Sequence, residues 1–204
     1  GWLPRLYGTG LSGATVGIIG MGAVGMALAR RLSGFQTNLI YNDIHKLGPT
    51  QEAELHLEHA SRQEVLARSD FVFPLVPLNQ GTKHMINEQT LNAMKKGSFL
   101  INVCRGSVVD EKAVVKALES GRLAGYAADV FEMEDWARAD RPRWVPPNLR
   151  EHPNTLFTPH LGSAVDRVRR DIALEAGINI LQALGGQRPR GAVNQQVEIQ
   201  ALSA

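Results

Sequence analysis

The stretch Ala14 to Gly25, ATVGIIGMGAVG, joins a short apolar run to a glycine-rich turn. The first half, up to Gly20, has the length and composition of a buried β-strand. Residues 22–32 then carry apolar side chains at helical spacing, and residues 37–42, TNLIYN, form a second apolar run. This order of strand, helix and strand predicts a βαβ unit with two parallel strands.

The glycine turn has the spacing G-x-G-x-x-G, with its glycines at Gly20, Gly22 and Gly25. Gly20 would allow a tight turn, Gly22 would let a pyrophosphate approach the backbone, and Gly25 would let the helix pack closely on the sheet. The helix N-terminus would offer amide N–H groups to the phosphates. Asp43 ends the second strand, where a carboxylate accepts hydrogen bonds from the adenosine ribose. The structural alternative is a glycine-rich turn beside a solvated aspartate.

Strands and helices continue to alternate along the chain. The further predicted strands are 70–76, 99–103, 123–130 and 155–158. The further predicted helices are 61–68, 87–96, 110–121 and 163–184. This order predicts an α/β fold with a doubly wound parallel sheet, the Rossmann type of dinucleotide-binding domain. Residues 135–153 are rich in arginine and proline, and we expect them to form one long surface loop.

The composition is that of a soluble globular protein, with 204 residues, a net charge of +2, 44% hydrophobic and 21% charged residues. The single cysteine, Cys104, excludes an internal disulfide and favours a reducing, cytoplasmic location. The apolar run 71–78 is too short to span a bilayer, so no membrane partner is expected.

Two other kinds of partner are also not expected. The arginine clusters at 138–143 and 167–170 lack interleaved aromatic residues, which disfavours nucleic-acid binding. No Cys/His cluster has metal-ligand spacing, so no metal site is predicted.

Charged side chains follow several predicted strands at their carboxyl ends, where ligands bind in open α/β sheets. Arg105, Asp129, Glu134 and His160 occupy such positions. A guanidinium can hold a small anion by two hydrogen bonds, and a histidine can act as a general base beside an orienting carboxylate. Together these residues predict an active site next to the bound dinucleotide.

Structural roles are the alternative for several of these side chains. His160 could cap the helix that follows it, and Cys104 is better explained as a small residue lining the cofactor site than as a nucleophile, because no paired base accompanies it. The remaining histidines are expected on the surface or in packing, namely His45, His56, His59, His84 and His152.

Four segments resemble the D-isomer-specific 2-hydroxyacid dehydrogenase family. They are TVGIIGMGAVG at 15–25, CRGSVVD at 104–110, ADVFEME at 128–134 and TPHLG at 158–162. The resemblance implies that Arg105, Glu134 and His160 are catalytic and that NAD is the cofactor. It also implies a set of cofactor-binding residues: Gly20, Gly22, Ala23, Val24, Gly25, Asp43, Pro77, Val103, Asp129, His160 and Gly162.

Three further segments are similar to a phosphite-oxidising branch of this family: YGTGL at 7–11, EDWARADRPR at 134–143 and GSAV at 162–165. This likeness implies oxidation of phosphite to phosphate with reduction of NAD. It places Arg105 and Arg169 on the oxyanion and Trp2 and Tyr7 in the pocket wall. One alternative is a D-2-hydroxyacid dehydrogenase acting on a small 2-hydroxy or 2-keto acid. A second is a non-catalytic NAD-binding module, which the intact Arg, Glu and His set disfavours.

The resemblance also implies a division of the chain. Residues 1–10 would be an inter-domain connection, 11–160 the NAD-binding domain, and 161–204 a returning helix and remnant of a mostly absent substrate domain. Since family members begin with most of the substrate domain, we expect the chain alone to bind NAD but to turn over poorly. A homodimer and a small anionic substrate are expected as partners.

Overall fold

One parallel sheet organises the protein in its computed structural model, which describes residues 8–194. The described residues divide into two units, one ending at Pro159 and the other starting at His160. The strands are β1 (Thr15–Ile19), β2 (Asn38–Asn42), β3 (Leu57–His59), β4 (Phe71–Pro74), β5 (Ser98–Asn102), β6 (Leu123–Ala128) and β7 (Thr155–Phe157). The helices are α1 (Ala23–Leu32), α2 (Pro49–Glu54), α3 (Arg62–Arg68), α4 (Glu88–Ala93), α5 (Glu111–Glu119), α6 (Pro147–Arg150) and α7 (Asp166–Leu184).

The strand order shows the doubly wound topology that the sequence predicts. The order is β3-β2-β1-β4-β5-β6-β7, and every neighbouring pair is parallel. From β1 the chain builds outward first to β2 and β3 and then, on the other side, from β4 to β7. The carboxyl ends of β1 and β4 therefore flank the point at which the winding reverses, where such sheets bind their ligands.

The sheet buries apolar side chains on both faces because successive residues of a strand point to opposite sides. In β1, Val16 and Ile18 pack in one cluster with Ala29 of α1. Ile19 belongs to the cluster on the other face, which includes Val65 of α3. These side chains are at most 3% exposed. Burial of each valine or isoleucine contributes roughly 1.5–3 kcal/mol of transfer free energy.

The structure contains short elements that the sequence pattern does not predict. β3 has three residues with one buried side chain, and α2 has six residues with none, so neither shows a clear hydrophobic period. The expectation that 135–153 forms one surface loop is wrong, because α6 lies within it and buries Leu149 completely.

The long helix of the second unit starts later than expected. It begins at Asp166 with Val165 as N-cap, rather than at Ser163, and ends before Gly185 as predicted. None of its residues is buried. No helix within residues 8–194 has both the length and the hydropathy that a bilayer crossing requires.

Candidate active site and cofactor cavity

The glycine turn after β1 adopts the geometry that its spacing predicts. Gly20 has a φ of +102°, and a Cβ there would lie 2.4 Å from the carbonyl oxygen of Leu75. A Cβ at Gly25 would lie 2.3 Å from the oxygen of Gly20, so α1 packs against the turn at a distance only glycine allows. Around Gly22, by contrast, no atom lies within 4 Å of the Cβ position. The turn thus leaves open space directly at the start of α1.

The amino end of α1 offers backbone donors to this space. Gly22 is the N-cap and has no side chain to bond the first amides, and the first turn contains no acidic residue. The amide groups of a first helical turn have no partner within the helix and carry the positive end of its dipole. The local arrangement therefore suits an anionic group such as a pyrophosphate.

A cavity of about 460 Å³ adjoins the turn and contains the predicted ribose acceptor. Gly20, Gly22 and Asp43 line this cavity together with Pro77. Asp43 accepts hydrogen bonds from the amides of Met21 at 2.5 Å and His45 at 2.9 Å. These bonds hold the carboxylate beside the turn, so the residues present fit the adenosine half of a dinucleotide.

A second cavity, of about 600 Å³, brings two of the predicted catalytic residues together. Arg105 and Glu134 both line it, and so do the predicted cofactor residues Val24, Pro77 and Val103. Pro77 borders both cavities, which makes them neighbours across the β4 end of the sheet. A cationic and an anionic side chain therefore share a cavity with apolar side chains that could pack on a nicotinamide ring.

The loop after β5 places Arg105 through its own backbone bonds. The Asn102 side chain donates to the Arg105 carbonyl at 3.0 Å and accepts from the Cys104 amide at 3.2 Å. Arg105 Nη1 donates to the Cys104 carbonyl at 2.6 Å. Burial raises the pKa of the Cys104 thiol, and this residue also lines the larger cavity. A raised pKa favours a lining role over a nucleophilic one.

Glu134 ends a 3-10 turn, Glu132–Glu134, that begins four residues after the last residue of β6. Its amide donates to the Phe131 carbonyl at 3.0 Å. The Arg141 side chain donates to the Met133 carbonyl at 3.0 Å and lies 4.5 Å above the Trp136 ring. The segment that carries Glu134 is thus tied to its own continuation.

The first residue of this turn, Glu132, belongs to a buried cluster that sequence reasoning missed. Glu132 is 8% exposed at its side chain and contacts His84 at 2.8 Å and Arg138 at 3.3 Å. Glu111 is 1% exposed, and burial, followed by the nearby carboxylate of Glu132, raises its pKa to about 7 although a backbone bond from Glu132 opposes this. One sequence signal was present: Glu111 lies three residues before the buried Val114, on the apolar face of α5.

The remaining predicted site residues differ in burial, since Asp129 is buried in the first unit and His160 is exposed in the second. Asp129 is 9% exposed, and its carboxylate accepts a hydrogen bond from the Thr158 hydroxyl. In the second unit His160 is exposed, with a φ of +55°, and Arg169 donates through Nε to the Ser163 carbonyl at 3.2 Å. Their roles, and those of Ala23 and Gly162, stay predictions. The predicted pocket residues Trp2 and Tyr7 lie outside the described residues.

Comparison with known proteins gives a consistent assignment. Residues 1–162 match the family model of the D-isomer specific 2-hydroxyacid dehydrogenase, NAD binding domain. The chain is 39% identical over 199 residues to a glyoxylate reductase of Thermofilum pendens, covering 96% of this chain and 56% of that protein. A glyoxylate reductase of Pyrococcus furiosus is 39% identical over 197 residues, with the same coverage.

Solved structures agree with this match. The structure of a glyoxylate reductase from Paecilomyes thermophila has a TM-score of 0.78 and 36% identity, over 86% of this chain and 51% of that one. The NAD-complexed D-isomer specific 2-hydroxyacid dehydrogenase of Lactobacillus delbrueckii has a TM-score of 0.81 and 31% identity. The match covers 95% of this chain and 60% of that one. The chain spans about half the length of the curated relatives it matches. Its cofactor is NAD, and it belongs to the D-isomer specific 2-hydroxyacid dehydrogenase family, of which it carries the NAD-binding domain.

Proposed function

We propose that the protein is an NAD-dependent D-2-hydroxyacid dehydrogenase that interconverts a small 2-keto acid, such as glyoxylate, with its 2-hydroxy acid. One observation carries this proposal. Arg105 and Glu134 line the same cavity as Val24, Pro77 and Val103, next to the cavity that contains the glycine turn and Asp43. The similarity to glyoxylate reductases supports the same substrate class.

In this proposal each residue has one task. Arg105 holds the substrate carboxylate by paired hydrogen bonds, since a guanidinium matches that group in shape and charge. His160 gives a proton to the carbonyl oxygen during reduction and takes it back during oxidation. Glu134 orients the imidazole and stabilises its protonated form. When bound, the reduced cofactor supplies the hydride that reaches the carbonyl carbon.

Phosphite oxidation is the second candidate, and the segment EDWARADRPR at 134–143 favours it. Five members of that segment line the larger cavity with Arg105, namely Glu134, Asp135, Trp136, Ala137 and Arg138. In this reaction the P–H hydride passes to NAD+, and a water oxygen binds phosphorus to give phosphate. His160 receives a proton from that water, and Arg105 and Arg169 hold the oxyanion.

A comparison of substrates separates these candidates. The absorbance of reduced nicotinamide is followed in the purified protein with glyoxylate plus NADH, and with phosphite plus NAD+. Turnover of glyoxylate but not of phosphite supports the first candidate. Turnover of phosphite but not of glyoxylate supports the second. NADH binding by calorimetry with no detectable turnover of either substrate, as opposed to slow turnover, would instead indicate a non-catalytic NAD-binding module.

Assembly and location complete the proposal. Apolar side chains of α7 are exposed, among them Ile172 at 56% and Leu181 at 70%, and such surfaces favour association. We expect a homodimer, which light scattering on the purified protein can test.

The single cysteine suits a cytoplasmic location, which fractionation of cells that express the protein can test.

A further inference from the structure

The Glu132 carboxylate lies where three separate segments meet. Its Oε1 accepts from the Glu111 amide at 3.2 Å, and its Oε2 accepts from His84 Nε2 at 2.8 Å and Arg138 Nη1 at 3.3 Å. Both oxygens are therefore occupied in a side chain that is 8% exposed. A buried carboxylate with this many donors is bound firmly in one position.

The contact between Glu132 and Glu111 is reciprocal. The Glu132 amide donates to Glu111 Oε1 at 2.8 Å, while the Glu111 amide donates to the Glu132 carboxylate. This pair fastens the start of α5 to the start of the 3-10 turn Glu132–Glu134. Two reciprocal hydrogen bonds, each from a backbone amide to the other residue's carboxylate, hold the two segments at one separation and in one register.

The same cluster also includes the turn that follows Arg105. The Ser107 amide donates to Asp135 at 2.7 Å, the Ser107 carbonyl accepts from the His84 amide at 2.7 Å, and the Ser107 hydroxyl contacts the Arg138 guanidinium. A Cβ at Gly106 would lie 1.9 Å from the Phe131 carbonyl carbon, so the two turns are in direct backbone contact.

We propose that Glu132 is a positioning residue that fixes Arg105 and Glu134 in one relative geometry at the larger cavity. Arg105 immediately precedes the turn at Gly106–Val108, and Glu134 ends the turn that Glu132 starts. The proposal rests on the proposed function, because it assumes that these two side chains act on one substrate.

One substitution tests whether Glu132 has this role because both of its oxygens accept hydrogen bonds, and not because of its size. Glu132→Gln keeps the shape of the side chain, but an amide has one acceptor oxygen where the carboxylate has two. Whichever way the amide turns, its NH2 group faces a donor, either the Glu111 amide or the Arg138 guanidinium. Glu88→Gln is the matched control, because it removes an exposed carboxylate that pairs with Lys116 on the surface.

The experiment compares both variants with the unaltered protein by three measurements. Hydrogen exchange in segments 103–110 and 130–138 should accelerate together in Glu132→Gln, while exchange in 15–43 stays unchanged. For the substrate that is turned over, kcat/KM should fall about tenfold to a hundredfold, because a small displacement of a group that holds the substrate slows the reaction by this much. The dissociation constant of NADH should stay unchanged. Glu88→Gln should match the unaltered protein in all three measurements.

Several outcomes would overturn the proposal. They are unchanged exchange in 103–110, unchanged kcat/KM, or a loss of NADH affinity as large as the loss of kcat/KM, which would indicate general loosening. If Glu132→Gln does not fold, Arg138→Gln removes one of the donors and should give the same pattern, with Arg150→Gln as its surface control. Failure of the proposed function is distinguishable, because the unaltered protein would then turn over no substrate while the exchange result would still test the positioning role.

Discussion

Arg105 owes its place to contacts on both sides of it. The Asn102 side chain holds the Arg105 carbonyl from the strand side, and Gly106 sits against the backbone of Phe131 on the other. The guanidinium therefore extends from a fixed backbone into the cavity that Glu134 also lines. We therefore expect binding of the anionic substrate to depend on the geometry of the guanidinium as well as on its charge.

Replacing Arg105 by Lys tests this dependence. Lysine keeps the charge but loses the planar fork that meets an oxyanion at two points. We expect Arg105→Lys to raise the KM for the anionic substrate and to lower kcat, with NADH affinity unchanged. Steady-state kinetics and calorimetry measure these quantities, and an intact kcat/KM would remove Arg105 from the role of anion clamp.

Asp43 makes a second prediction at this scale. A 2′-phosphate beside the carboxylate would meet a repulsion of about 1–4 kcal/mol at a separation of about 4 Å, depending on the local dielectric. We therefore expect tighter binding of NADH than of NADPH, and Asp43→Asn should narrow this difference by about tenfold or more. Calorimetric titration with both cofactors provides the ratio, and equal affinities in the unaltered protein would contradict the prediction.

At the scale of secondary structure, the elements with strong local signals were predictable. The capping box of Ser61 and Glu64, the N-caps Asn87 and Asp110, and the glycine turn after β1 are confirmed. The cluster around Glu132 was not predictable, because its partners come from distant parts of the chain and no local period records them. β3 and α2 were missed for a different reason, since both are too short to show a period.

Gly106 lies at the contact between the two 3-10 turns and gives a test of that contact. An added methyl group would overlap the Phe131 carbonyl carbon, so Gly106→Ala must push the turns apart. Overpacking of this kind costs about 1–3 kcal/mol of unfolding free energy, and turnover should fall with it. Gly34→Ala is the control, because nothing lies within 4 Å of its Cβ position. Urea unfolding that gives equal stabilities for both variants would contradict the packing described here.

Glu111 predicts a pH dependence of stability. Burial raises its pKa from the ordinary value of 4.5 to about 7, so the folded protein binds more protons than the unfolded chain between these values. Its contribution to the unfolding free energy is therefore fully present below pH 4.5 and is lost as the pH rises through about 7. The loss is on the order of 3 kcal/mol, since each unit of pKa corresponds to about 1.4 kcal/mol.

Glu111→Gln removes this titration while keeping the side-chain volume. The stability of the variant relative to the unaltered protein should therefore increase between pH 5 and pH 8, by an amount on the order of the loss itself. Urea unfolding at several pH values measures the difference. A difference that stays constant over this range would show that Glu111 keeps its ordinary pKa.

On the scale of the whole molecule, the parallel sheet brings residues from distant segments to one edge. Gly22 and Asp43 line the smaller cavity, Arg105 and Glu134 line the larger one, and both cavities open beside the carboxyl ends of β1 and β4. This convergence was predictable because parallel strands end at a common edge. The place of His160 relative to these cavities was predicted only from the family resemblance and stays a prediction.

The most direct test of the proposed dehydrogenase activity is the rate of NADH oxidation with glyoxylate, measured for the unaltered protein and for His160→Ala. If His160 transfers the proton to the substrate, the unaltered protein should turn over glyoxylate, slowly when this chain is tested alone, and the rate should fall about a hundredfold to ten-thousandfold in the variant. NADH affinity, measured on the same samples, shows whether the cofactor site is retained. No detectable glyoxylate turnover in the unaltered protein, or an equal rate in His160→Ala, would contradict the proposed proton transfer by His160.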